Sequence, residues 1–296
     1  MLFLLWSDAW IDVAAAEAAT RGRCRLSSDR AALASSDAVV FPVPTLADLP
    51  SRRGREDQLW VLWCQESGAH YPLLDDPVFV ASFDLTATYR LDSDVPLPYS
   101  RPRDYADLPP MVPLGERRAT PATAWISSRF DRCGRTAYLR ELMEHLEVDS
   151  YGQALNNASL PVDRGPATKL ATIARYRFTI AFENAIDDDY VTEKLAEPLV
   201  AGSVPVVRGA RNVAAFAPGG PGSFVDAADF TGPRDLARYL TAMGDEDYLR
   251  LHDWRTETGD GEWWRRNRVF DEPTFDRLAR AVRAVRIGRA ARERRG

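Results

Sequence analysis

The sequence has few cysteines and no long hydrophobic run. Its three cysteines, Cys24, Cys64 and Cys133, are odd in number and widely spaced, a pattern that suggests neither a disulfide framework nor a metal cluster. The apolar stretch of residues 1–6 is too short to span a membrane, and it lacks the basic region and cleavage site of a signal peptide. We therefore expect a protein of the reducing cytoplasm whose first apolar segment is a buried strand.

Lysine is also scarce, with two residues against 36 arginines, and the net charge is −5. This balance argues against a dedicated nucleic-acid-binding protein, although arginines can form local anion sites. One of the two lysines, Lys194, closes the stretch "DDDYVTEK", which we predict to begin a helix. The positive end of a helix dipole disfavours a cation there by up to about 1 kcal/mol. Two hypotheses remain open: a pyrophosphate lies between Lys194 and the helix end, or Lys194 is a surface residue paired with Asp189 or Glu197.

Short apolar runs alternate with helical patterns, which predicts parallel sheets with crossover helices. Strands are predicted at residues 2–6, 38–41, 59–63, 85–89, 123–128, 148–152, 177–182 and 204–207, and helices at 135–146, 167–175, 190–201, 234–243 and over the last 25 residues. Many prolines between residues 95 and 121 indicate a linker. We predict an N-terminal domain (1–115), a second domain (116–271) and a basic C-terminal helix (272–296). Two doubly wound, Rossmann-like α/β domains facing a cleft describe the GT-B architecture, which some binding proteins also resemble.

One long motif carries a family resemblance. The stretch "YRFTIAFENAIDDDYVTEKLAEPLVAGSVPVVRG" at residues 176–209 resembles the α1,3-fucosyltransferase family in its F-E-N, Y-V-T-E-K and A-G-x-V-P-V-V elements. "CQES" at 64–67 and "FDLTATYRLDSD" at 83–94 resemble further family segments, and the likeness covers about residues 2–255. It implies a GT-B glycosyltransferase with GDP-fucose as donor substrate, a carbohydrate or glycoside acceptor and no obligatory cofactor or metal. The resemblance also implies that the domain of residues 1–115 binds the acceptor and that the domain of residues 116–271 binds the nucleotide-sugar donor.

The sequence departs from the family in three ways. The family often has Ser-Asn where this chain has Ser128 and Arg129, and often has proline at the position of Gly68. The paired cysteines and membrane anchor of animal members are also lacking. These differences favour a soluble, bacterial-type member, and they concern the acceptor more than the donor. The same site with another nucleotide sugar or a small natural-product acceptor, and a non-catalytic nucleotide-sugar or glycan-binding protein, are the alternatives.

The resemblance also implies roles for individual residues. Arg135 and Lys194 would stabilise the diphosphate of the donor, a role that suits a bidentate guanidinium and a compact ammonium. The other donor-contacting positions are Asn184, Tyr190 and Glu193. Glu66 would act as the base that takes the proton of the acceptor hydroxyl; Asp92 and Asp94 are rivals for this role, and His70 would contact the acceptor.

Structural interpretations compete with several of these roles. Arg135 could lie in solvent, Asn184 could form a turn or an N-cap, and Asp92 could be a partner of Arg90. Residues 187–189 are three aspartates, for which helix capping is favoured over metal binding. The basic C-terminal helix could contact an anionic membrane weakly, although packing across the domain cleft is favoured.

Overall fold

The computed structural model describes residues 1–7, 11–127, 130–256, 259 and 261–293. The chain divides into two compact units: unit 1 is Met1–Pro98 with Val269–Gly296, and unit 2 is Tyr99–Arg268. The predicted domain boundaries at 115/116 and 271/272 stay predictions.

Ten strands lie within the described residues: β1 (Leu2–Leu5), β2 (Arg25–Ser27), β3 (Ala38–Pro42), β4 (Leu59–Cys64), β5 (Leu85–Thr88), β6 (Ala122–Ala124), β7 (Val148–Ser150), β8 (Phe178–Phe182), β9 (Val204–Arg208) and β10 (Val225–Asp226). The α-helices in the same residues are α1 (Val13–Ala19), α2 (Pro77–Val80), α3 (Arg135–Leu142), α4 (Pro166–Ile173), α5 (Glu193–Ala201), α6 (Pro233–Ala242), α7 (Asp245–Arg250), α8 (Glu262–Asn267) and α9 (Thr274–Glu293).

Each unit contains a parallel five-stranded sheet. The order is β2-β1-β3-β4-β5 in unit 1 and β10-β9-β8-β6-β7 in unit 2. Numbered within each unit, both sheets have the order 2-1-3-4-5, in which the winding reverses between the first and third strands. Ligands of such folds bind outside the carboxyl ends of the strands at this switch point. In unit 2, the switch point therefore lies between the loops that follow β6 and β8.

The central strands are buried on both faces. Residues of β3, β4 and β8 are buried throughout, which fits their near-continuous apolar sequences. In unit 2, α3 and α6 pack on one face through side chains such as Leu139 and Leu236, both fully buried. The core therefore holds the strand ends, and the loops that follow them, in fixed positions.

The C-terminal helix α9 packs within unit 1. Leu278 and Val282 are fully buried against the sheet, and Arg286 forms an ion pair with Asp37 at 3.0 Å. Among the described residues of α9, Ile287 is the large apolar side chain that is exposed, at 70%. Leu278 and Val282 therefore do not contribute to the predicted membrane contact of this helix, which stays a prediction. In the described part of the chain, no helix has the length and apolar character needed to cross a membrane.

The proline-rich segment is anchored in unit 2 by an aromatic cluster. Tyr105 is fully buried, and its ring meets those of Trp254, Trp263 and Trp264 edge-on at centroid distances of 5.9, 5.7 and 6.3 Å. Arg117 is also buried and donates to Tyr176 O at 2.7 Å. The latter part of the predicted linker is thus packed structure.

Several predicted elements have different bounds. The helix predicted from residue 190 begins at Glu193, because Thr192 is its N-cap, and the helix predicted to reach residue 146 ends at Leu142. The short edge strands β2 and β10 were not predicted. Residues 128 and 129, which carry one departure from the family pattern and the end of a predicted strand, lie outside the described residues.

Candidate functional site

The predicted donor-binding residues lie at the carboxyl edge of the unit 2 sheet. Asn184 follows β8, Tyr190 precedes α5, and Glu193 and Lys194 are the first two residues of that helix. Arg135 is the first residue of α3, which follows β6. Loops after β6 and β8 therefore carry all five residues to the switch point of this sheet.

A buried carboxylate organises the start of α5. Glu183 is 4% exposed and accepts hydrogen bonds from the backbone N–H of Thr192 at 2.8 Å and from its hydroxyl at 2.9 Å. Burial raises the pKa of Glu183, although the adjacent ammonium of Lys194 and the Thr192 hydrogen bonds oppose this effect. Gly209 makes room for the side chain, since a Cβ there would lie 2.8 Å from Glu183 Cγ. Glu183 thus fixes the N-cap of the helix.

Lys194 has three acceptors within the protein. Its Nζ donates to Thr192 Oγ1 at 2.8 Å and Glu193 Oε1 at 3.0 Å, and it lies 3.2 Å from Glu183 Oε2. Burial would lower the pKa of Lys194, but the two carboxylates outweigh burial and raise it. Two carboxylates therefore offset the unfavourable position of this cation.

The two proposed surface partners of Lys194 are engaged elsewhere. Glu197 pairs with Lys169, and Asp189 accepts from Asn212 Nδ2 at 2.7 Å. The hypothesis that Lys194 pairs with Asp189 or Glu197 is therefore wrong.

The aspartates at 187–189 do not cap α5. Asp188 forms an ion pair with Arg211 at 2.6 Å, and Asp189 adopts a left-handed backbone conformation (φ 67°) beside Asn212. The predicted capping role is wrong, because Thr192 is the N-cap. Nowhere in the described ranges do three or more His, Cys, Asp or Glu side chains form a group able to hold a metal.

Arg135 lies inside the protein. It is 1% exposed, and its guanidinium donates to the carbonyls of Phe182 at 3.3 Å and Phe130 at 2.9 Å. Burial lowers its pKa, against the effect of nearby acidic groups such as Asp131. The alternative that places this arginine in solvent is therefore wrong.

The start of α3 is already occupied by a carboxylate. Asp131 accepts from the backbone N–H groups of Arg135 at 3.0 Å and Thr136 at 2.9 Å. Burial opposes ionisation of Asp131, but these hydrogen bonds outweigh it and lower the pKa to about 2. Asp131 therefore takes the backbone N–H groups that an anionic ligand would otherwise bind at this helix end. The diphosphate role of the Arg135 side chain stays a prediction.

Asn184 and Tyr190 are buried at the same edge. Asn184 is 7% exposed, and its Oδ1 has no hydrogen-bond partner among the residues described. Its carbonyl accepts from Arg132 N at 2.8 Å, and its side chain caps no helix. Tyr190 packs edge-on against Tyr99 with a centroid distance of 6.2 Å. The N-cap alternative for Asn184 is wrong.

The predicted acceptor-side residues lie in unit 1, after β4 and β5. Glu66 is partly exposed two residues beyond β4, and the thiol of Cys64 donates to its carbonyl at 3.4 Å. His70 is partly exposed in the same loop. Burial, followed by the charge of Glu66, raises the pKa of Tyr71 nearby.

The two rivals of Glu66 have structural partners. Asp92 pairs with Arg90 at 3.1 Å, as its structural interpretation predicts. Asp94 accepts from the backbone N–H and hydroxyl of Thr86 at 2.8 and 2.9 Å. Both carboxylates stabilise the turn after β5.

Comparison with known proteins places the chain in a family. Residues 1–100 match the family described as "Fucosyltransferase, N-terminal", and residues 116–283 match "Glycosyltransferase family 10 (fucosyltransferase) C-term". The chain belongs to glycosyltransferase family 10. The predicted family is therefore confirmed.

Relatives within family 10 share more than a third of the aligned residues. The chain is 36% identical over 244 residues to a 4-galactosyl-N-acetylglucosaminide 3-alpha-L-fucosyltransferase from Gorilla gorilla gorilla, covering 78% of this chain and 65% of that protein. It is 37% identical over 240 residues to an alpha-(1,3)-fucosyltransferase 7 from Rattus norvegicus, covering 78% of this chain and 61% of the relative. The chain therefore spans less than two thirds of the length of these relatives.

Solved structures share the fold. An alpha1,3-fucosyltransferase crystallised with GDP-fucose superposes with a TM-score of 0.59 at 17% identity, covering 85% of this chain and 80% of the other. The complex with GDP gives 0.58 at 15% identity, covering 86% and 81%. The predicted α/β fold of GT-B type, with two Rossmann-like domains, is confirmed.

In this family 10 member, sequence reasoning missed Glu183, Thr192 and Asp131. Glu183 was visible as a carboxylate directly after a fully buried strand, inside the F-E-N element. Asp131 lies four residues before the helix that it caps, beyond the usual N-cap position. Their hydrogen-bond partners depend on tertiary structure, and the sequence gives no signal for those pairings.

Proposed function

We propose that this protein transfers L-fucose from GDP-fucose to a hydroxyl of a carbohydrate or glycoside acceptor, with inversion at the fucose C1. Membership of family 10 supports this assignment, as do relatives whose names specify 3-alpha-L-fucosyl transfer. A related fold crystallised with GDP-fucose supports the choice of donor. The observation that carries the proposal is the cluster of Lys194, Glu183 and Glu193 at the switch point of unit 2.

Of the three acceptors of Lys194, Glu193 is the one that a ligand could replace. Thr192 and Glu183 are 2% and 4% exposed, whereas the Glu193 side chain is 46% exposed. A donor phosphate would replace Glu193 at the ammonium while the two buried acceptors keep Lys194 in place. The released Glu193 carboxylate would then accept hydrogen bonds from sugar hydroxyls of the donor.

The chemistry requires charge stabilisation and a base. The acceptor oxygen attacks the fucose C1, the bond from C1 to the diphosphate oxygen breaks, and GDP leaves with the electron pair. Lys194 stabilises the charge that develops on GDP, and Glu66 takes the proton of the acceptor hydroxyl. Glu66 follows the carboxyl end of β4 and lies in the "CQES" element of the family resemblance, which supports this role.

A binding experiment tests the donor assignment. Isothermal titration calorimetry and thermal unfolding with GDP-fucose, GDP, UDP and ADP should show tight binding for the guanine nucleotides alone. A ligand at 100 times its dissociation constant stabilises the folded state by about 2.7 kcal/mol. If a UDP-sugar raises the melting temperature and GDP does not, the assignment of GDP-fucose as the donor is refuted.

A transfer assay tests the activity itself. Radiolabelled GDP-fucose and a panel of galactosyl and N-acetylglucosaminyl acceptors should give labelled product. If GDP binds and neither transfer nor donor hydrolysis occurs with any acceptor, the non-catalytic binding function replaces the proposed one. Cytoplasmic location and a bacterial origin stay predictions.

A further inference from the structure

A third cation, Arg208, lies beside the candidate donor site. It is the last residue of β9 and pairs in register with Phe182, the last residue of β8. Its guanidinium carbon lies 5.2 Å from the ring centroid of Tyr138, which packs edge-on against Phe182 at 5.4 Å. Arg208 is thus held at the end of β8, on the face of the sheet covered by α3.

Three other cations at this edge, Arg135, Lys194 and Arg211, each have at least one oxygen acceptor. Arg135 donates to two carbonyls, Lys194 has three acceptors, and Arg211 forms an ion pair with Asp188. Arg208 differs from them. Its side chain contacts the thiol of Cys133, but no carboxylate of the described residues pairs with it, and its Nη1 is buried without a hydrogen-bond partner there.

An unsatisfied guanidinium nitrogen is uncommon in a folded protein. Buried polar groups nearly always have partners, and the exceptions call for an explanation such as a bound ion or ligand. Guanidinium groups bind phosphate oxygens through paired N–H donors more readily than other side chains do. The position of Arg208, one strand from the switch point, suits an anion that also reaches Lys194.

We propose that Arg208 contacts the diphosphate of the nucleotide donor, together with Lys194. This inference rests on the proposed function, since it assumes that a nucleoside diphosphate occupies this edge of unit 2. Arg208 would place a further positive charge, beside that of Lys194, against the negative charge of the leaving group. It would therefore contribute to donor affinity and to turnover.

The alternative is a purely structural arginine, and the two roles differ in their effect on stability. Removing a structural arginine destabilises the ligand-free protein. Removing one with an unsatisfied buried nitrogen relieves a desolvation penalty. We therefore expect Arg208→Gln to leave the melting temperature of the free protein unchanged or raised.

The test compares Arg208→Gln and Arg208→Lys with the control Arg211→Gln. Arg211 lies nearby in sequence, its side chain is 83% exposed, and its partner Asp188 is also partly exposed. Calorimetry with GDP, guanosine and inorganic pyrophosphate separates contacts to phosphate from contacts to the nucleoside. Arg208→Gln should weaken GDP and pyrophosphate about 10- to 100-fold and leave guanosine unchanged. The GDP affinity of Arg208→Lys should lie between those of wild type and Arg208→Gln, and that of Arg211→Gln should stay within about twofold of wild type.

Three outcomes would overturn the inference: equal GDP affinity of Arg208→Gln and wild type, an equal loss for guanosine, or a lower melting temperature of the free variant. The same measurements distinguish failure of the proposed function from failure of the role of Arg208. If wild type binds UDP but not GDP, and Arg208→Gln loses UDP affinity, the donor assignment fails and the role of Arg208 stands. If GDP binds equally well to both proteins, the role of Arg208 fails and the donor assignment stands.

Discussion

Replacement of Lys194 by methionine should destabilise the folded protein, because the buried carboxylate of Glu183 then loses its cation. The substitution keeps the length of the side chain and removes the ammonium that lies 3.2 Å from Glu183 Oε2. Breaking a buried ion pair on one side typically costs 3–5 kcal/mol. The Lys194 side chain is 20% exposed and Glu183 keeps its hydrogen bonds to Thr192, so we expect a loss of about 2–4 kcal/mol at pH 7.

The loss should depend on pH. The pKa of Glu183 in the folded protein is raised from 4.5 by burial, and removing Lys194 takes away the cation that opposes this rise. A carboxyl whose pKa is higher in the folded than in the unfolded state favours folding below the unfolded pKa, and that stability is lost as the pH rises through the folded pKa. Lys194→Met should therefore be least destabilised near pH 5 and most destabilised at pH 7–8.

The only other lysine of the sequence provides the control. Lys169 pairs with Glu197, whose side chain is 23% exposed against 6% for Glu183. Lys169→Met should cost less than about 1 kcal/mol. Urea unfolding followed by tryptophan fluorescence at pH 5, 7 and 8 measures both variants. The double variant Glu183→Gln/Lys194→Met should lose about 2 kcal/mol less stability than the sum of the losses in the two single variants. Equal losses in the two lysine variants, or a loss independent of pH, would refute the reasoning.

The remaining predictions concern the base, the metal and the cap of α3. Glu66→Gln should reduce turnover by about 10²–10⁴-fold and leave GDP affinity nearly unchanged in calorimetry. Turnover within a few-fold of wild type would show that Glu66 is not the base, and Asp92 or Asp94 would be tested next. Transfer activity should survive EDTA, and complete loss restored by Mn²⁺ would revive the aspartates at 187–189 as metal ligands. Asp131→Ala should cost about 1 kcal/mol in urea unfolding at pH 7. Because the pKa of Asp131 is lowered to about 2 from 3.8, that difference should shrink as the pH falls through this range, and a difference constant with pH would contradict the capping role.

The parts of the fold that the sequence predicts are those set by local hydrophobic patterns. The runs "RFTIAF" and "VPVV" became β8 and β9, because fully buried parallel strands are apolar on both faces. The edge strands Arg25–Ser27 and Val225–Asp226 have three and two residues, which is too few for a recognisable pattern. Length alone explains these omissions.

The start of α5 shows where local patterns fail. Tyr190 and Val191 are buried and apolar, so they extend the helical periodicity toward the N-terminus. The helix begins later because Thr192 bonds to Glu183, nine residues upstream. Sequence reasoning placed the donor residues at one edge through the rule for parallel sheets. It could not find the partners of Lys194, since those pairings are made by tertiary structure.

The charges around Lys194 also bear on selectivity among anions. One ammonium faces two carboxylates at 3.0 and 3.2 Å, so a weakly charged ligand gains little by approaching it. To bind, an anion must displace the exposed Glu193 and compensate for the contact that is lost. A diphosphate can do so because it carries more charge than a single phosphate ester and can reach a second cation, which we propose to be Arg208. The two carboxylates would thus bias this edge toward nucleoside diphosphates over monophosphates, so we expect GDP to bind more tightly than GMP.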